Sequence, residues 1–369
     1  MTTSPLFPPG LLAEHQIEAL AAAGAIVSTT PAAPDQHLVQ PASLDLRLGT
    51  RAWRVRASFL PGPNRTVEAC IASQPSHEMD LSSPVVLETG TVTIVELDET
   101  LNLPASISAA TNPKSSTGRI DVFTRVITDQ AREFDFVEAG YAGPLYLEVS
   151  PRSFPVRVKA GSRLSQIRFR AGQSRLDDAA HLALHRRDTL VSGSMPSIAG
   201  GVALSVDLGG FDRGLIGYRA KRHTGLIDVD TVGLYDLHDF WEPLPLRSRK
   251  ELVLDPGEFY ILASKEAVHV PADHAAEMVP FDPLVGEFRV HYAGFFDPGF
   301  GASEAGGTGA RAVLEVRSRD VPFILEDGQI IGRLLYERLS ERPKSLYGAA
   351  SGSNYQAQGL KLSKHFRPD

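Results

Sequence analysis

Two short stretches carry side chains that could act on a phosphorylated substrate. Lys114-Ser115-Ser116-Thr117-Gly118-Arg119 places hydroxyls and backbone N–H groups between two cations. Such a turn can cradle phosphate oxygens, with lysine as a point charge and arginine as a planar fork. The same composition also describes an ordinary polar surface turn. Glu148 stands between Leu147 and Val149, so strand alternation puts it on one face with Tyr146 and the two apolar neighbours on the other. A lone strand glutamate faces solvent, or it sits in a partly desolvated pocket where it can take and return protons. Glu315, between Leu314 and Val316, repeats the pattern.

The elements that must hold these residues repeat. Val86-Leu87-Glu88-Thr89-Gly90 and Val253-Leu254-Asp255-Pro256-Gly257 are 167 residues apart, and the same offset relates Leu103-Pro104-Ala105 to Val270-Pro271-Ala272. It also relates Leu147-Glu148-Val149 to Leu314-Glu315-Val316, Pro155 to Pro322, and Gly161 to Gly328. A constant offset through five landmarks marks two copies of one fold. Runs of β-formers bounded by glycine, at 144–149 and 311–316, read as strands. The alternating stretches 156–159 and 164–169, joined by Ala160-Gly161, read as a hairpin. Residues 11–23 read as a helix and 176–184 as a weaker one. The Ser/Gly/Pro-rich stretch 187–201 suits a linker, so the expected domains are 1–189 and 190–369.

Composition agrees with an all-β chain. It has 32 glycines and 26 prolines in 369 residues, 43% hydrophobic and 22% charged, which suits short strands joined by many turns. A formal charge of −7 argues against a nucleic-acid or membrane-surface binder, which needs a basic stripe. Cys70 is the single cysteine, so an intrachain disulfide is excluded and a reducing cytoplasm is the expected location. The start Met-Thr-Thr-Ser-Pro lacks a signal-peptide pattern, and no apolar run approaches the roughly 18 to 20 residues of a membrane span.

Taken in order, the motifs resemble the dCTP deaminase/dUTPase superfamily, and most closely the long, two-repeat form of dCTP deaminase. Residues 40–49, Gln-Pro-Ala-Ser-Leu-Asp-Leu-Arg-Leu-Gly, resemble its N-terminal strand signature. Residues 114–119 resemble its Arg-Ser-Ser-x-x-Arg loop, and Gly140-Tyr141-Ala142-Gly143 leading to Leu147-Glu148 resembles the segment that ends in its catalytic glutamate. Tyr347, followed by Tyr355-Gln356-Ala357-Gln358-Gly359, resembles its C-terminal phosphate-covering segment, with Asn354 where the family often has lysine.

The resemblance implies a tandem duplication of a dUTPase-like distorted β-barrel (β-clip) with a few short helices. It implies hydrolytic deamination of dCTP to dUTP and ammonia, with Glu148, Ser115 and Arg119 catalytic and Glu315 a second-repeat partner or alternative. Lys114, Ser116, Thr128, Tyr347, Tyr355 and Gln358 are then substrate-binding. The zinc signature of nucleoside deaminases needs a Pro-Cys-x-x-Cys, which one cysteine cannot supply. His181 and His185, four apart, are the remaining candidate metal pair, and no metal site is expected. Magnesium would travel with the triphosphate, dTTP is an expected inhibitor, and a homo-oligomer, as a trimer, is expected because single-repeat relatives form trimers. Residues 282–286, Asp-Pro-Leu-Val-Gly, show that the second copy has no counterpart of the Lys114–Arg119 loop. Two other functions share these features. One is a dUTP diphosphatase or bifunctional enzyme using Asp129 or Asp135 to activate water, and the other is a non-catalytic nucleotide-binding module.

Overall fold

The computed structural model describes residues 7–31, 37–193, 196–211, 214–279, 294–303, 309–318, 320–348 and 359–367, and the backbone alone of 288–291. Strands dominate these residues, with few and short helices. No helix among them is long and apolar enough to cross a membrane. The chain forms two compact units. Unit 1 holds 1–174, 225–232 and 339–344, and unit 2 holds 175–224, 233–338 and 345–369. The helix Asp178–Asp188, on the N-terminal side of the expected boundary at 189, belongs to unit 2.

In unit 1 the strand Val92–Asn102 lies between Leu48–Val55 and Ala142–Pro151, and Val122–Thr128 pairs with the outer side of the latter. A second sheet runs through Ile107–Pro113, Ser165–Ala171 and Ser43–Leu46. Unit 2 repeats these pairings at the offset of 167. Glu148 pairs with Ile94 and Glu315 with Ile261. Val156 pairs with Leu87 and Phe323 with Leu254. Ile107 opposes Ala171, and in unit 2 His274 opposes Arg338. The repeated landmarks in the sequence therefore reflect repeated strand registers.

The hairpin expected over 156–169 does not form. Val156–Val158 pairs with Val85–Leu87, whereas Ser165–Ala171 pairs with Ile107–Pro113 and Ser43–Leu46 in another sheet. The reason lies in the turn. Gly161, at φ +85°, donates its N–H to Leu48 O at 2.7 Å and Ala160 donates to Leu81 O at 2.8 Å. The turn is thus tied to other strands and redirects the chain instead of folding it back. Alternation reports which face of a strand is buried, and it carries no information on the strand's partner.

The helix Glu14–Ala22 lies within the expected 11–23, and its first turn is closed by Ala13 N–H donating to Gln16 Oε1 at 3.0 Å. The weaker candidate becomes Asp178–Asp188, capped by Asp177 Oδ1 accepting from Ala180 N–H at 2.8 Å. Its two histidines serve structure. His181 Nε2 accepts from Tyr336 N–H at 3.0 Å, its Nδ1 lies 2.8 Å from Asp177 O, and burial lowers its pKa. His185 Nδ1 accepts from Leu190 N–H at 3.1 Å. A ring with both nitrogens engaged, as His181 has, offers no lone pair to a metal.

Candidate functional site

Glu148 sits in the middle of Ala142–Pro151, a strand flanked on both sides, and is 1% exposed. Directly opposite it on Val122–Thr128 is Arg125. Arg125 Nη2 donates to Glu148 Oε1 at 2.7 Å and Nε donates to the same oxygen at 3.2 Å. Glu148 Oε2 is buried and accepts no hydrogen bond among the described residues. The ion pair is therefore one-sided: Arg125 fixes one carboxyl oxygen and leaves the other for a further proton or donor.

Arg125 is itself held from three directions. Its guanidinium lies 3.6 Å from the Phe134 ring centroid and 4.8 Å from that of Phe123, and Nη2 donates to Ser58 Oγ at 2.8 Å. The surrounding face is apolar. Ile94, Ile127 and Tyr146 share it by register, and they pack with Trp53, Val67 and Ile71, with Phe59 and Phe134 at the margin. Val67 and Ile71 belong to the short helix Val67–Ala72, whose first turn is anchored by Val67 N–H donating to Asp129 Oδ1 at 2.7 Å. A charge pair in such surroundings attracts more strongly than it would in water.

Asp135 is a second carboxyl near this pair. It adopts φ +60°, and its Oδ1 accepts from Val126 N–H and from the Thr111 hydroxyl, each at 2.8 Å. The residue is only half-buried, but its carboxyl is enclosed, and desolvation pushes it up to about 7 against those two hydrogen bonds and the Arg125 charge. The Glu148 charge acts on it in the same raising direction.

The predicted phosphate loop is a single helical turn, Ser115–Gly118, with Lys114 as its N-cap and Arg119 as its C-cap. Ser115 is half-buried, while Ser116, Thr117 and Arg119 are buried. The Lys114 ammonium pairs with Asp45, a carboxylate of the N-terminal strand signature that also receives Arg163 Nη1 at 3.3 Å. Two cations on one carboxylate leave a net positive charge beside the turn. Thr128 ends its strand opposite Leu145, so its side chain faces away from Glu148. It borders a cleft of about 830 Å³ lined also by Asp129, Glu138 and Tyr141. Neither Glu148 nor the Lys114–Arg119 turn lines that cleft.

The structure thus gathers Lys114, Ser115, Ser116 and Arg119 in one turn, and gives Glu148 an ion-pair partner the motif reading passed over. Arg125 was visible as the one charge in Val-Phe-Thr-Arg-Val-Ile-Thr, two strand positions from Phe123 and Ile127, but pairing it with Glu148 needs the register. Asp135 enters the sequence expectations only as an alternative base. In unit 2, Glu315 is 6% exposed, and His291 occupies the register position that Arg125 has in unit 1. Tyr347 belongs to unit 2, with its ring 5.8 Å from Phe300 and its N–H donating to Pro298 O at 2.8 Å. Tyr355 and Gln358 lie outside the described residues.

Two repeated β units, each with a buried strand glutamate, define a class that comparison makes specific. Residues 8–173 match the 2'-deoxycytidine 5'-triphosphate deaminase (DCD) N-terminal domain, and residues 177–366 match the C-terminal domain of the same family. The chain belongs to the 2'-deoxycytidine 5'-triphosphate deaminase family. It superposes, with a TM-score of 0.86 and 60% identity, on the crystal structure of 2'-deoxycytidine 5'-triphosphate deaminase from Agrobacterium tumefaciens, over 91% of this chain and 100% of that one. It is also 31% identical over 134 residues to the dCTP deaminase, dUMP-forming, of Methanoculleus marisnigri, covering 36% of this chain and 66% of the relative. The like-named protein of Beutenbergia cavernae is 37% identical over 110 residues, covering 29% and 53%. The chain thus spans about half to two thirds of the length of these curated relatives.

Proposed function

We propose that this protein hydrolytically deaminates dCTP, releasing ammonia and forming dUTP. The observation that carries the reading is the Glu148 carboxyl, buried, with Oε1 fixed by Arg125 and Oε2 without a partner among the described residues. Matches to the deaminase family over both halves of the chain support it. In this reading Glu148 takes one proton from a water attacking C4 of cytosine and passes it to N3, then moves the remaining hydroxyl proton to the amine, so that the C4–N bond breaks, ammonia leaves and the C4 carbonyl forms. Ser115 holds the water or nucleotide, and Arg119 sets the local charge. Lys114, Ser116 and the Thr128 backbone bind substrate. No protein-bound metal takes part, and magnesium accompanies the triphosphate. General acid–base help is worth ~10²–10⁴ in rate, and positioning supplies the remainder. We read the units as two diverged dUTPase-like barrels, with their main boundary at 174/175 in place of the expected 189/190, in a cytoplasmic homotrimer open to inhibition by dTTP.

One observation favours a longer reaction. The enclosed Asp135 carboxyl, pushed up to about 7, is suited to accept a proton near neutral pH, and relatives matched over part of the chain are named dUMP-forming. On that reading Asp135 activates water for attack on the triphosphate. Measuring ammonia and pyrophosphate separately from dCTP and from dUTP decides between them. Ammonia without pyrophosphate supports deamination alone, both products from dCTP support the longer reaction, and neither product overturns the assignment.

A further inference from the structure

The two units differ at one sheet edge that their shared register makes equivalent. In unit 1 the strand Val156–Val158 has both sides occupied. Val85–Leu87 pairs with one side and Ile227–Asp228 runs parallel along the other. Ile227 N–H donates to Pro155 O at 3.1 Å, Val229 N–H donates to Arg157 O at 3.2 Å, and Arg157 Nη2 donates to Asp228 at 2.6 Å. Beneath this added strand Phe154, Val156 and Ile227 are all 0% exposed.

In unit 2, Phe323–Glu326 pairs with Glu251–Leu254 in the same register, and among the described residues no strand lies on its other side. Val321, at the place of Phe154, is 49% exposed, and Ile324, at the place of Arg157, is 57% exposed. The register turns the Pro322 and Ile324 carbonyls to that edge, as it does those of Pro155 and Arg157. An exposed edge with large apolar side chains is a template for another strand.

The complementary half of the contact is present in unit 1. At the repeat offset the counterpart of Ile227 is Leu60, which is 37% exposed in the stretch 58–62, part of no strand. Exposed Arg56 and Arg65 flank that stretch, whereas exposed Asp320 and Glu326 flank the unit 2 edge. We propose that the 321–326 edge receives the 58–62 stretch of a second copy of this chain. Leu60 then takes the place of Ile227, and the basic flanks lie against the acidic ones. The Gly62 N–H already serves Ala131 O at 3.0 Å, so apolar burial and charge, more than a long ladder, hold the contact. Because it joins two different surfaces, the contact is heterologous.

Sedimentation of the full chain from about 1 to 100 μM tests this. Ile324→Glu and Leu60→Glu should each weaken assembly at least tenfold, while Val86→Glu, at a position equally exposed in unit 1, leaves it unchanged. Mixing the Ile324→Glu and Leu60→Glu chains should restore a dimer, since one intact contact survives between them. In the wild type, deuterium uptake over 321–326 should slow severalfold as concentration rises, a readout that needs no variant. A wild-type monomer throughout, variants that assemble normally, equal loss in Val86→Glu, or a mixture that stays dissociated would each overturn the proposal.

Discussion

The two strand glutamates occupy the same backbone position in the two repeats, yet their surroundings differ. Glu148 and Glu315 oppose isoleucines 167 residues apart, Ile94 and Ile261. On the other side Glu148 meets Arg125, and Glu315 is in register with His291. Unit 1 also keeps the Lys114–Arg119 turn, which has no counterpart in residues 282–286. The two units thus share backbone register, and the residue across from the glutamate is what differs.

The strongest way to break this comparison is to neutralise each glutamate separately. Glu148→Gln should lower the rate of ammonia release from dCTP by ~10²–10⁴ with nucleotide affinity retained. Glu315→Gln should leave the rate within a few-fold of wild type. The reverse result would move the working carboxylate to unit 2, and no effect from either would remove glutamate from the mechanism.

The next effect concerns stability and sets Arg47 in unit 1 against Ser205 in unit 2. Arg47 is buried, donating from Nε to Glu99 Oε1 at 2.8 Å and from Nη2 to Asp98 at 2.7 Å, while its N–H donates to Glu99 Oε2 at 2.8 Å. In unit 2 the same backbone role falls to Ser205, whose N–H donates to Glu266 at 2.8 Å and whose hydroxyl donates to it at 2.6 Å. Arg47→Ala leaves two buried carboxylates without their cation and should cost about 3–5 kcal/mol. Ser205→Ala keeps the backbone bond and should cost about 1 kcal/mol. Urea unfolding of both variants measures the difference, and equal costs would mean the buried charges in unit 1 are compensated elsewhere.

Arg125→Lys probes the positioning of Glu148 more gently. Lysine keeps the charge but cannot place two N–H groups on Oε1 while stacking on Phe134. The turnover rate for dCTP should fall about tenfold with KM nearly unchanged, the mark of a group that aligns the reacting carboxyl. A rise in KM alone would instead make Arg125 a binding residue.

Much of this architecture was legible because repeats and alternation are written in local sequence. The offset of 167 recurs in strand pairings of both units, and Leu147-Glu148-Val149 placed the carboxyl on the face opposite its neighbours. Partner choice was not legible. The Lys159–Ser162 turn resembles a hairpin turn but is tied to Leu48 and Leu81, and no local pattern contains that fact. Arg125 escaped for the same reason: it is 23 residues from Glu148, and only the ladder brings them together. His181 and His185 carried the right helical spacing for a shared ligand, yet the backbone of a distant strand and the end of their own helix claimed their nitrogens.

The smallest expected effect tests the carboxyl beside the Arg125 pair. Asp135 has its folded-state pKa raised from the usual carboxylate value to about 7 by desolvation. An unfolded chain releases this proton near pH 4, whereas the folded chain keeps it until about pH 7. The folded state therefore binds the extra proton across this interval, so Asp135 favours folding in acid and loses that contribution as pH rises towards 7. Asparagine retains an oxygen for the Val126 and Thr111 donors but cannot ionise. Asp135→Asn should thus gain stability relative to wild type, by on the order of 2 kcal/mol, between pH 4.5 and 7.5. Urea midpoints at the two pH values read this directly. A constant difference would mean Asp135 is ionised throughout, with Arg125 neutralising both carboxyls in unit 1, and Asp135 would then lose its fitness as a base for attack on the triphosphate.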